Sequence, residues 1–134
     1  WVEFGVPTFC AYVPFFANAD DTDASYREFP EKMDLNNAYW LNEALASVVE
    51  SHYAKFAKDN LDFQDELQAW ARRKIKAVDD QISQLDGQRL TSYLTSQNHD
   101  IAKHFNTRAQ QHLFDLLTKG AELSKLTFKM DPNL

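Results

Sequence analysis

From Asp34 onward apolar positions recur at three- and four-residue steps, the period of a helix with one buried face. Ala38, Leu41, Leu45, Val48, Val49, His52 and Phe56 form a first stripe, and Asp34, Asn36 or Asn37 is placed to cap its start. Asp59-Asn60 or Asp62 offers a break and a fresh cap. Phe63, Leu67, Trp70, Ala71, Ile75, Val78, Ile82 and Leu85 form a second stripe, closed by Gly87 where a helix C′ glycine would sit. A third runs through Leu90, Leu94, Ile101, Phe105, Ala109, His112, Leu113 and Leu116 to Gly120, with Asn98-His99-Asp100 as an interruption or recap. The last two helices should each exceed roughly 30 Å at 1.5 Å per residue, and a short turn between them predicts an antiparallel hairpin.

Residues 1–33 read differently. Pro7, Pro14 and Pro30 and the aromatics Phe4, Phe9, Tyr12, Phe15 and Phe16 crowd this stretch. Thr8 to Val13 has the β-branched and aromatic bias of a strand, which Pro14 should end, bend or hold at an edge because it has no amide hydrogen to donate. One short strand is not stable alone and needs a partner from elsewhere. Asn18 to Asp23 then reads as a polar loop whose short side chains bond local backbone amides. The expected architecture is mainly α: a short N-terminal strand segment, then three helices including a long antiparallel hairpin. Residues 1–33 form the strand-and-loop segment and 34–134 the helical region, within a single domain or part of one.

Composition narrows the function classes. The chain has 134 residues, with 14 Lys and Arg against 20 Asp and Glu, a formal charge of -6. That balance offers no general attraction to nucleic acid or anionic lipid. No apolar run approaches the ~20 residues of a membrane span, so neither partner is expected. A single cysteine, Cys10, forbids an internal disulfide and fits the cytoplasm. Trp1 is not an initiator methionine, and Val2-Glu3-Phe4-Gly5 has neither the basic flank nor the apolar core of a signal peptide. The chain is expected to be cut from something longer.

Candidate chemistry is sparse. Cys10, the only thiol nucleophile available, lies in a predicted buried strand rather than beside a cation or at a helix N-terminus, so it is expected to be packed and inert. His52, His99, His104 and His112 include no pair one helical turn apart. His104 and His112 share a face but stand about 12 Å apart along it, too far for one metal. Asp20, Asp21 and Asp23 lack the glycine and glutamate positions of an EF-hand loop, so no metal site is assigned. Gly5, Gly87 and Gly120 are too scattered to cradle a phosphate. Trp40 and Trp70 read as packing anchors, and Arg72-Arg73-Lys74-Ile75-Lys76 as a solvated face. No cofactor is indicated.

Gly5-Val6-Pro7-Thr8-Phe9-Cys10-Ala11-Tyr12-Val13-Pro14-Phe15-Phe16, then Asn18, Asp21-Thr22 and Tyr26, then Tyr39-Trp40, resemble in order the late part of bacterial cysteine-nucleophile dipeptidases of the N-terminal-nucleophile hydrolase superfamily. Those enzymes carry a strand ending in a Val-Pro-Phe-Tyr-like run, a loop of Asn-x-x-Asp-Thr type and a Tyr-Trp pair opening a helix. Asp23 stands where such loops often have proline. The resemblance is concentrated in residues 5–40. It implies a four-layer αββα parent, with a cysteine at the mature N-terminus attacking the peptide carbonyl while its own α-amino group serves as base. No residue of this chain matches that position, and Cys10 belongs to the late strand motif.

The implied reading is the C-terminal part of a dipeptidase, inactive alone, whose partners are the remainder of the parent enzyme, a short peptide substrate and further copies of itself. No catalytic residue is assigned. Asn18, Asp21 and Thr22 are the candidates for active-site lining. A non-catalytic helical interaction or oligomerisation module is the alternative.

Overall fold

The computed structural model describes residues 1–127, so residues 128–134 of the expected helical region lie outside the description. Three helices follow an irregular N-terminal segment: α1 over Ala38–Ser51, α2 over Tyr53–Ile82 and α3 over Gly87–Thr127. Asn37 caps α1, its side-chain oxygen accepting from the Trp40 amide at 3.2 Å. The same side chain donates to the carbonyls of Ser25 and Glu28, which ties the helix start to the 3₁₀ turn Ala24–Tyr26. One side chain thus serves an orphan helix amide and anchors a loop.

The expected break at Asp59–Asp62 lies about two turns earlier, at His52, whose φ of -136° and ψ of 47° separate α1 from α2. Phe56 therefore belongs to α2. Asp59, Asn60 and Asp62 need not cap anything, because their groups are used otherwise. Asp59 pairs with Lys119, and Asp62 pairs with Lys58 one turn away at 2.7 Å. Asn60 is buried and donates to the Phe9 carbonyl at 3.0 Å.

The hairpin is antiparallel, as expected. Phe63 stacks on His112, Glu66 takes Arg108 in a two-pronged ion pair (3.0 and 2.7 Å), Trp70 stacks on His104, and Lys74 meets Asp100 at 3.9 Å. Helix α3 runs unbroken through Asn98-His99-Asp100, so the expected interruption does not occur. Gly87 opens α3 instead of closing α2; its φ of 50° is a left-handed conformation that glycine adopts without penalty. Helix α1 packs against both arms of the hairpin. Leu41, Leu45 and Val49 of α1, Phe56, Phe63 and Leu67 of α2, and Ile101, Phe105, Leu113 and Leu116 of α3 build one core. Among the described residues no helix is long and apolar enough to cross a membrane.

The predicted strand forms only at its end: residues 7–10 make a turn closed by the Phe9 and Cys10 amides on the Val6 carbonyl (2.9 and 3.0 Å), and beyond it a single antiparallel bridge joins Val13 to Val2 through hydrogen bonds of 2.8 and 2.6 Å. Its missing partner is supplied by amide side chains of α2. Gln64 donates to the carbonyls of Thr8 (3.3 Å) and Cys10 (2.8 Å), and Gln68 donates to that of Tyr12 (3.3 Å). Because residues 7–10 turn rather than extend, one Gln64 amide reaches both the Thr8 and the Cys10 carbonyl.

Candidate functional site

The polar loop leaves this N-terminal segment at Phe16 and runs along α3. At its root the Asn98 side chain pairs with Phe16 as a neighbouring strand would, accepting from the amide at 2.8 Å and donating to the carbonyl at 2.9 Å. Asn98 is only 2% exposed, so neither bond is a casual surface contact. Further along, Thr95 accepts from the Asp20 amide at 2.9 Å and Gln88 donates to the Asp20 carboxylate at 3.2 Å. The His99 ring lies with Nδ1 3.2 Å from Asp23 and Nε2 3.8 Å from Asp21. Arg27, just past the 3₁₀ turn, meets Asp21 from the other side at 3.3 Å. Burial pushes the Asp23 carboxyl up, but hydrogen bonds from the Ser25 hydroxyl and amide and from His99 outweigh it and hold the group below its usual value.

The loop and the N-terminal segment enclose an open cavity of about 740 Å³. One wall is aromatic. Tyr26 is crossed edge-on by Phe4 and by Phe15, at ring separations of 5.3 and 4.9 Å, and burial pushes its phenol well up. The opposite wall is polar and carries Asp20, Asp21, Thr22 and Arg27. Of the three residues singled out from sequence, Asp21 and Thr22 line this cavity, whereas Asn18 is exposed and does not. Asp21 also accepts from the Thr22 amide at 2.8 Å, which fixes the turn between them.

Cys10 stands apart from this chemistry. It is 1% exposed, its Sγ contacts the Asn42 carbonyl at 3.8 Å, and burial pushes its thiol up to about 12, the opposite of an activated nucleophile. His104 and His112 are taken up by stacking, and burial holds both below the ordinary imidazole value. Among the described residues no group of His, Cys, Asp and Glu could hold a metal ion.

Sequence reasoning missed Asn98, His99, Thr95 and Arg27 as parts of this site. The available signal was a polar stripe on α3 at helical spacing. Gln88, Thr95, His99, Asn106 and Gln110 recur at steps of seven and four, and each reaches the N-terminal third of the chain.

The arrangement is that of a helical body whose long hairpin carries an irregular N-terminal segment and an aromatic-walled loop site. Residues 1–66 match the family model Peptidase family C69. The chain is 56% identical over 135 residues to a "Probable dipeptidase" of Latilactobacillus sakei, a match that covers 100% of this chain and 28% of that protein. It is 28% identical to "Probable dipeptidase B" of Lactococcus lactis subsp. lactis (strain IL1403), over 96% of this chain and 27% of that one. It is 23% identical to "Dipeptidase A" of Lactobacillus helveticus, over 97% and 27%. These matches assign the chain to the dipeptidase family that its opening motif resembles. It spans little more than a quarter of the length of these curated relatives.

Proposed function

We propose that this chain is the C-terminal part of a cysteine dipeptidase of the N-terminal-nucleophile type, hydrolytic when joined to the rest of the enzyme and inactive by itself. The observation that carries the reading is the state of the only thiol. A family defined by peptide hydrolysis is represented here by a chain whose cysteine is buried, with its thiol pushed up to about 12. The attacking sulfur therefore belongs to another part of the parent, and the 28% share of the Latilactobacillus sakei relative leaves ample chain to carry it. In this reading the Asp21–Thr22 end of the loop lines the dipeptide site, Asn18 lies at its margin, and Arg27 and Asp21 offer opposite charges to the two ends of a zwitterionic dipeptide.

The exposed Trp1, Phe29 and Met33 support contact with the remainder of the parent or with further copies. The enzyme acts in the cytoplasm and needs neither metal nor cofactor. Its partners include neither nucleic acid nor membrane.

The test is reconstitution. The chain alone should leave dipeptides uncut, and co-expression with the preceding part of the parent should restore turnover. Replacing the first cysteine of that preceding part should abolish the restored activity, and Cys10→Ala should leave it in place. Hydrolysis by the purified chain alone, lost in Cys10→Ala, would overturn the proposal.

A further inference from the structure

We propose that His99 is a positioning residue that sets the Asp21–Thr22 end of the loop, and that its protonation makes that setting depend on pH. This rests on the reading that the loop lines a dipeptide site.

The geometry is asymmetric along the loop. The root is held by groups that do not titrate near neutrality, the Asn98 amide on Phe16 and the Thr95 hydroxyl on the Asp20 amide. The tip is held by the imidazole, which reaches Asp23 through Nδ1 and Asp21 through Nε2. As an imidazolium the ring carries a proton on both nitrogens, hydrogen-bonds Asp23 through Nδ1 at 3.2 Å and stands in ion-pair contact with Asp21 through Nε2 at 3.8 Å. As a neutral ring it has one donor. The donor stays on the nearer acceptor, Asp23, and the Nε2 lone pair then faces the Asp21 carboxylate, which is repulsive. Loss of the proton therefore releases Asp21 and Thr22 while Phe16 and Asp20 stay anchored.

Charged groups of both signs surround the ring. Asp21 and Asp23 face it from the loop, and Arg27 meets the other oxygen of Asp21. Asp100 and Lys103 of α3 border the adjoining cavity of about 380 Å³, whose other walls are the uncharged Ser25, Asn36, Asn106, Thr107 and Gln110. Arg27 already occupies the other oxygen of Asp21, so Asp21 has a second place to go when the ring lets it go.

Two measurements test this. In the isolated chain, NMR across a pH series should show the amides of Asp21, Thr22 and Asp23 moving in step with the His99 ring signals. The Phe16 amide should not follow. His99→Asn keeps a donor for Asp23 but cannot take a proton, and should abolish the shared titration. A ring that titrates while the loop amides stay still would overturn the inference, as would an unchanged titration in the variant. In the reconstituted enzyme, His99→Asn should raise the dipeptide KM roughly two- to fivefold at pH 6, the scale of a solvent-exposed ion pair. It should leave kcat nearly unchanged and flatten the pH profile of kcat/KM. A parallel profile in the variant would sink the inference and leave the dipeptidase reading standing. A reconstituted enzyme that cuts no dipeptide would sink that reading, while the loop titration would still decide whether His99 positions the loop.

Discussion

Replacing Asn98 by alanine should cost more stability than its small polar side chain suggests. Both hydrogen bonds to Phe16 disappear at once, and the alanine methyl fills none of the amide's volume in a site that is 2% exposed. A backbone amide or carbonyl left without a partner costs about 1–3 kcal/mol when water cannot reach it. Phe16 is half-buried, so water restores part of the loss and each group falls toward the low end of that range. Two groups together give roughly 2–4 kcal/mol, a large share of the 5–15 kcal/mol typical of a domain. In urea, at a slope of ~2 kcal/mol per molar, the midpoint should fall by roughly 1–2 M when unfolding is followed by circular dichroism.

Asn98→Asp is the sharper variant. It keeps the acceptor for the Phe16 amide but sets a carboxylate oxygen against the Phe16 carbonyl, so its folded pKa is raised. Its folded state then binds more protons than its unfolded state, and the gap between variant and parent should narrow as pH falls toward about 4. A midpoint shift under ~0.5 M for Asn98→Ala, or a gap that widens in acid for Asn98→Asp, would refute the claim that this amide serves as the missing strand partner.

Other outcomes follow from the same contacts. His112 is buried, stacks on Phe63 and donates through Nε2 to Asn60 at 2.9 Å, and burial holds its pKa below the usual value. The unfolded chain therefore takes up that proton first. Stability is fully present above about pH 6.5 and is lost as pH falls through the folded value. His104 acts in the same direction, so His112→Gln should make the decline of the urea midpoint between pH 7 and 5 shallower without abolishing it. With the Cys10 thiol pushed up to about 12, iodoacetamide at pH 8 should label the folded chain at least a hundredfold more slowly than a free cysteine, as followed by mass spectrometry. Labelling at the free-thiol rate would refute the buried placement. Gly5 has a φ of 110°, and an added methyl would lie 3.0 Å from Cys10 Sγ and 3.2 Å from Asn42 Cβ. Gly5→Ala should cost about 1–3 kcal/mol in a thermal melt, and Cys10→Ala in the same chain should recover only the steric part.

The sequence alone determined the helical character of residues beyond Asp34, because each stripe repeats at the helical period over many turns and burial of one face follows from that period. It also determined the family, because the motif from Gly5 to Trp40 is a local string that survives without any fold around it. The cap of α1 was legible to within three residues, Asp34, Asn36 and Asn37, because an N-cap and the amide it serves lie close in sequence, and the structure selects Asn37.

The tertiary structure decided where polar groups were needed. Asn60 and Asn98 look like breaks when judged by local propensity, yet both lie inside helices, because amide side chains lose little by entering a helix when a backbone partner waits for them. Those partners, Phe9 and Phe16, lie 51 and 82 residues away along the chain. The polar stripe of α3 was equally unreadable as a site. Gln88, Thr95 and His99 carry the pattern of a solvated face, and only the return of the N-terminal loop along that face turns them into its supports. A local period reports which side of a helix is apolar. It carries no information about which distant segment will lie against the other side.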